Sequence, residues 1–121
     1  LNKLLETLRD NPRIIIELRA HTDYRGEHYH NVELSTKRAQ SVVNYLIENG
    51  IDPERLRAKG FAATQPKEVE QKLSEQYEFL SQGDVLTEEF IKNLETEQQR
   101  EIANQINRRT EFKVIATNYE P

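Results

Sequence analysis

Ala20–Tyr45 reads AHTDYRGEHYHNVELSTKRAQSVVNY, and the rest of the chain is organised around it. The run Ile14-Ile15-Ile16-Glu17-Leu18 leads into it. In Arg13–Ala20, Ile14, Ile16, Leu18 and Ala20 alternate with Ile15, Glu17 and Arg19, the period-two pattern of a strand with one core face. Tyr24–His30 then reads as a loop in which Gly26 supplies backbone freedom. A helix follows as far as Asn49, with Asn31 or Ser35 as candidate N-cap. Leu34, Ala39, Val42, Val43, Leu46 and Ile47 form its apolar stripe. An acid, Asp23, therefore follows a strand. A base, Arg38, is expected near the start of the next helix, where the helix dipole favours anions. A loop of about ten residues between them puts both on one rim of a small domain.

Working outward, Leu1, Leu4, Leu5 and Leu8 mark a first helix, stopped by Asp10-Asn11-Pro12. Gly50 suits the position after a helix end, and Asp52-Pro53 a turn. Leu56–Phe61 alternates again as a second strand. The stretch from about 67 to 106 reads as helical. Lys67–Phe79 carries Val69, Leu73 and Tyr77, with Leu80 following, at about helical spacing, and Gln82-Gly83-Asp84 breaks it. Thr87 caps a short helix with Leu86 and Ile91 as a staple, and Thr96 with Gln99 forms a capping box. Ile102, Ala103 and Ile106 face inward. Glu111–Thr117 is the last strand, with Phe112, Val114 and Ala116 on one face. The order helix–strand–helix–strand–helices–strand implies α/β layering, a small mixed sheet with the main helices on one face.

The 121 residues suffice for one domain, 1–121, with a modest core. With 36% apolar and 31% charged residues the chain is globular and very polar. Its formal net charge of −4 argues against non-specific nucleic-acid binding. The charge is uneven: Lys67–Glu101 holds ten acids and four bases, and the remainder eleven acids and thirteen bases. An acidic segment is thus added to a nearly neutral core. There is no cysteine, hence no disulfide framework. No apolar run has the length of a membrane span and no signal peptide is visible, so the chain reads as a processed or excised domain.

Thr22-Asp23, Gly26, Asn31, Leu34-Ser35, Arg38-Ala39, Val42, Tyr45-Leu46, Gly50-Ile51, Arg55-Leu56 and Gly60 resemble the OmpA-like C-terminal domain, and Asn107-Arg108-Arg109-Thr110-Glu111-Phe112 resembles its closing motif. The likeness covers roughly Leu1–Pro66 and Asn107–Asn118. It implies an OmpA-like α/β sandwich in which the family's first strand is missing here and a long insertion precedes the last strand. It also implies peptidoglycan binding on the periplasmic side of an outer membrane, without catalysis or cofactor. The insertion (Gly83–Phe90, then Gln105-Ile106-Asn107) resembles versions in Bacteroidetes-type outer-membrane lipoproteins, with a type IX secretion-associated lipoprotein as one candidate parent. Other envelope proteins would then be partners through the rest of that chain.

By this resemblance Asp23 and Arg38 match the family's two residues for meso-diaminopimelate, a stem-peptide unit whose side chain ends in an ammonium and a carboxylate. A guanidinium holds a carboxylate through paired hydrogen bonds, and an aspartate holds an ammonium. Spacing alone favours a structural Asp–Arg salt bridge, since most ion pairs are structural. Thr22, Tyr24, Gly26, Asn31, Leu34 and Ser35 would line the same loop and helix start. Asn31 is also a candidate cap and Leu34 a candidate core residue. Arg108 and Arg109 would border the pocket, or else neutralise the acidic insertion.

His21, His28 and His30 lie close to Asp23, which opens a metal-dependent wall-hydrolase reading. No HExxH helix or cysteine pair backs it, and no metal site is assigned. The three histidines are expected to make this loop gain charge below about pH 6.5. A third reading is a protein-interaction domain whose acidic insertion docks a partner, favoured if Tyr77–Leu80 or Phe90 are exposed.

Overall fold

The structure, a computed structural model, describes residues 1–121. The elements run α1 (Asn2–Asp10), β1 (Ile15–His21), α2 (His28–Glu48), a 3-10 turn (Pro53–Arg55), β2 (Leu56–Ala62), α3 (Gln71–Gln76), α4 (Glu88–Lys92), α5 (Glu97–Asn107) and β3 (Arg109–Ala116). The sheet order is β2-β1-β3. β1 and β2 are parallel and joined through α2, while β3 runs antiparallel to β1. The expected α/β architecture is present, a small mixed sheet with the main helices on one face.

The alternation read in β1 is the one that folds. Ile16, Leu18 and Ala20 are fully buried against Leu5 and Leu8 of α1 and Ala39, Val43 and Leu46 of α2. Burial of these side chains is the main term holding helices to sheet, about 1.5–3 kcal/mol per large apolar residue. Arg55 is buried too, and it is satisfied: its guanidinium donates to the carbonyls of Ile14, Leu8 and Asn11 at 3.1, 2.8 and 2.7 Å. It thereby ties the end of α1 to the start of β1.

α2 starts earlier than its sequence suggests. Glu27, not Asn31 or Ser35, is the N-cap, its carboxylate accepting from the N–H groups of Tyr29 and His30, each at 2.9 Å. The loop after β1 shrinks to Thr22–Glu27. At the other end Gly50 takes φ +97°, as a residue following a helix end should. Gly60 lets α2 and β2 approach closely. A Cβ there would lie 2.5 Å from Ser35 Oγ and closer still to the Thr36 backbone nitrogen.

The insertion differs from expectation at its start. Lys67–Phe79 is not one helix, because the Val69 backbone is bonded to Asp84 and Gly83. Glu68 pairs with Val85, and only Gln71–Gln76 is helical. A six-residue helix has little stability of its own, so packing decides this segment. The later signals hold. Thr87 caps α4, and Thr96 and Gln99 form the reciprocal box of α5. Leu86 and Ile91 are buried with Val69, Leu80 and Ala103 in a second core. Tyr24, Tyr77, Phe79 and Phe90 pack against it, so the apolar residues proposed for docking are turned inward. Asn107 fastens the unit: its Oδ1 accepts from Lys67 N–H and its Nδ2 donates to the Leu86 carbonyl, both at 2.9 Å.

β3 has an unpaired outer edge. Phe112 and Val114 stand opposite Leu18 and Ile16 but remain 44% and 42% exposed. They extend the core face of the sheet past the cover that α1 and α2 provide.

Candidate functional site

Asp23, at the end of the sheet, is 6% exposed and surrounded by cations. Its Oδ1 accepts from the backbone N–H of Arg25 at 2.9 Å and from Arg25 Nε at 3.3 Å. Its Oδ2 accepts from Arg25 Nη2 at 2.9 Å and from Arg108 Nη1 at 2.6 Å. Glu101 of α5 holds the same two arginines from the far side, with Oε2 2.9 Å from Arg25 Nη1 and Oε1 3.1 Å from Arg108 Nη2. Burial works against the ionised Asp23, but the hydrogen bonds from Arg25 and Arg108 outweigh it and hold the carboxyl below the usual range. The bonds from Arg108 and Arg25 likewise lower Glu101.

Arg38 takes no part in this network. The strand-to-helix salt bridge conceivable from spacing forms with Arg25 and Arg108 instead. Arg38 is exposed and makes no hydrogen bond or ion pair within the chain; it lines a cleft of about 310 Å³ with His21, Arg108, Arg109 and Thr110. It also lies ten residues beyond His28, the first residue of α2. The helix-terminus argument therefore fails, since that field fades within the first turn. Three guanidiniums line the cleft, those of Arg38, Arg108 and Arg109. Arg108 belongs both to the cleft and to the Asp23 network, so base and acid are neighbours through it.

Arg109 is only partly free. Its Nε donates to Glu111 Oε1 at 2.6 Å, and its Nη atoms donate to the carbonyls of Asn107 and Gln65 at 3.2 and 3.0 Å. It also lines, with Arg19, Lys67 and Lys113, a larger polar cleft of about 890 Å³ between sheet and insertion.

Most remaining candidates build the site rather than face a ligand. Thr22 Oγ1 donates to the Asp23 carbonyl at 2.9 Å and its N–H to Ala62 at 2.9 Å. Asn31 is buried, its Nδ2 donating to the Arg25 carbonyl at 3.0 Å, which pins the loop. Ser35 is buried and joins α2 to β2, accepting from Ala62 N–H and donating to Val32, each at 3.1 Å. Gly26 takes φ +94°, the turn for which glycine was expected. Tyr24 packs on the insertion's core with Lys92 5.6 Å above its ring. Leu34 borders a shallow dent with His30, Glu33 and Lys37, and neither arginine cleft. None of these six lines either cleft.

Arg25 and Glu101 went unnoticed as site residues. Arg25 follows Asp23 by two positions, the spacing of an Asx turn. Glu101 precedes Arg108 by seven, two turns along α5, so a carboxylate stacked near the closing motif was legible in principle.

His21 corrects the titration expectation. It is 2% exposed and stacked on Phe61 at 5.3 Å. Burial, then Arg109, Arg19 and Lys67, push its pKa down to about 4 against the opposing pull of Glu111. Only His28 and His30, exposed in the first turn of α2, are open to solvent. No three His, Cys, Asp or Glu side chains converge as a metal ligand set.

A model of the OmpA family matches residues 1–79. The chain belongs to the OmpA family. Outer membrane protein A of Klebsiella aerogenes is 44% identical over 46 residues, 38% of this chain and 13% of that protein. The probable lipoprotein YiaD of Escherichia coli is 36% identical over 59 residues, 49% of this chain and 27% of that protein. The chain thus spans no more than 27% of the length of these relatives. The C-terminal domain of Helicobacter pylori MotB superposes with a TM-score of 0.58 at 20% identity, over 94% of this chain and 67% of that one. That likeness concerns the fold, and it extends through the insertion and β3. These relatives do not bear on the assignment of the insertion to a type IX lipoprotein. No helix is long and apolar enough to cross a membrane.

Proposed function

We propose that this domain binds peptidoglycan without covalent attachment and anchors a larger envelope protein or complex to the wall. Membership of the OmpA family supports wall binding as the general function. The finer reading rests on one observation: an unpaired Arg38 shares a cleft with Arg108, and Arg108 reaches the buried Asp23. The ligand carboxylate lies across the Arg38 guanidinium and its ammonium turns toward Asp23. These are the two charges at the end of a meso-diaminopimelate side chain. The domain is a binding module, not an enzyme. It works in the periplasm, carried to the outer membrane by the rest of its parent chain. One site is weak, and many sites on one polymer make the attachment firm by avidity.

The test is a calorimetric titration with two soluble muropeptides, one with meso-diaminopimelate and one with lysine at the same position. Both are run in chelator and again with zinc. The lysine form lacks the carboxylate that pairs with Arg38, a loss of about 1–3 kcal/mol, or about five- to hundredfold in affinity. Equal binding of both forms removes the diaminopimelate reading, and binding of neither removes wall binding. Zinc-dependent cleavage would instead support a hydrolase.

A further inference from the structure

Asp23 has no acceptor position to spare. A carboxylate offers about four lone-pair sites. All four are taken, by one backbone N–H, two nitrogens of the Arg25 side chain and one of Arg108. An incoming ammonium must therefore displace a guanidinium.

The two arginines are not equally placed to leave. Arg108 is 31% exposed and stands at the junction of α5 and β3. The Arg25 side chain is 47% exposed on the Thr22–Glu27 loop, and its Nη1 already bonds Glu101. Either arginine would keep Glu101 as a partner on leaving Asp23, and the greater exposure of Arg25 and its place on a loop make it the one that leaves. The loop need not refold for this exchange. The Arg25 N–H still holds Asp23 Oδ1, and Asn31 still holds the Arg25 carbonyl.

We propose that Arg25 is an internal cation occupying the ammonium subsite of Asp23 in the free domain, and that a bound ligand's ammonium displaces it onto Glu101 of the insertion. The inference rests on the zwitterion reading of Asp23 and Arg38. It makes the insertion part of the site, because α5 supplies the carboxylate that receives the displaced arginine. It also adds a source of specificity. Asp23, Glu101, Arg25 and Arg108 sum to zero charge. Arg38, unpaired beside them, brings the whole site to +1, so a ligand bringing only a cation raises the site to +2, whereas a zwitterion leaves it at +1 and also pairs Arg38. Arg25 and Glu101 are accordingly affinity-setting residues with opposite effects. Apparent affinity scales with the fraction of molecules in which Asp23 is free of Arg25. If that fraction is about 10–30%, deleting the side chain tightens binding about three- to tenfold.

The experiment titrates the 121-residue chain and its Arg25→Ala, Arg25→Gln, Arg25→Lys and Glu101→Gln variants with the diaminopimelate muropeptide. Arg25→Ala and Arg25→Gln are expected to bind about three- to tenfold more tightly. Arg25→Lys, which restores a cation, returns toward the wild-type value. Glu101→Gln binds more weakly, because both arginines then bear on Asp23 alone. Equal or weaker binding by both uncharged Arg25 variants overturns the proposal, as does unchanged or tighter binding by Glu101→Gln. If Arg25→Ala and Arg25→Gln do not fold, the Glu101→Gln result decides alone. Failure of the underlying reading looks different. The wild type then either binds nothing or binds the same with Arg38→Ala, and both ideas fall together.

Discussion

Lowering the pH from 7 to 5 should remove about 2 kcal/mol of stability from this domain, almost all of it through His21. The imidazole ends β1, is 2% exposed, and lies nearly parallel to the Phe61 ring at 15°. Burial disfavours its charged form, and the cations Arg109, Arg19 and Lys67 add to that. Glu111 Oε1, 3.4 Å from Nε2, only partly opposes them. The pKa falls from 6.5 unfolded to about 4 folded. Between those values the unfolded chain takes up a proton that the folded chain refuses. Stability is therefore complete above about pH 6.5 and is lost as the pH falls toward 4. Linkage with these two values gives about 2 kcal/mol at pH 5 and a limit of about 3 kcal/mol. Asp23, Glu101 and Glu111 are held below their ordinary values, so their losses come at lower pH. Urea denaturation at pH 7, 6 and 5 measures the effect, with His21→Gln as the comparison. The wild-type midpoint should fall across the series, and that of the variant much less. Wild-type stability that is flat from pH 7 to 5, with the His21 ring protons titrating near 6.5, would refute the reasoning.

Gly60→Ala should cost about 2–3 kcal/mol in chemical denaturation, because the new methyl meets the Thr36 backbone of α2 as well as the Ser35 and Thr36 hydroxyls, and the backbone cannot swing aside as a side chain can; a loss under 0.5 kcal/mol would show that α2 can shift. Arg38→Ala should leave stability within about 0.5 kcal/mol, since the side chain is exposed and unpaired, yet abolish the preference for the diaminopimelate muropeptide. Asp23→Ala should lose muropeptide binding and also about 1–3 kcal/mol of stability, because Arg108 and Arg25 lose a buried partner; thermal melts run beside the titration separate the two effects. Thr96→Ala should cost about 1 kcal/mol by undoing the capping box of α5, read as a lower urea midpoint at unchanged slope.

Much of the fold was legible because it is encoded over short distances. The alternation in Ile14–Ala20, the stripe from Ala39 to Leu46, Gly50 after α2, and the caps at Thr87 and Thr96 each depend on neighbours within a few positions. The errors have the opposite character. Lys67–Phe79 carries a helical spacing, yet Glu68 is claimed by a bridge to Val85 and the Val69 backbone by Gly83 and Asp84. Asn31 and Ser35 are good caps in isolation, but the chain reaches them already helical because Glu27 caps first.

The site divides in the same way. From sequence alone came the acid after β1, the base on α2 and the two arginines where β3 begins, together with the family whose motif they fill. Only the tertiary structure decided which of them touch. Asp23 and Arg108 are 85 residues apart and meet at 2.6 Å, while Arg38, fifteen residues from Asp23, is left unpaired. The same packing buried His21 and brought Glu101 from the insertion against Arg25. Backbone periodicity is a local property of the chain and can be read from it. The partner of a charge depends on which surfaces the hydrophobic cores press together, and that is known only once both cores have formed.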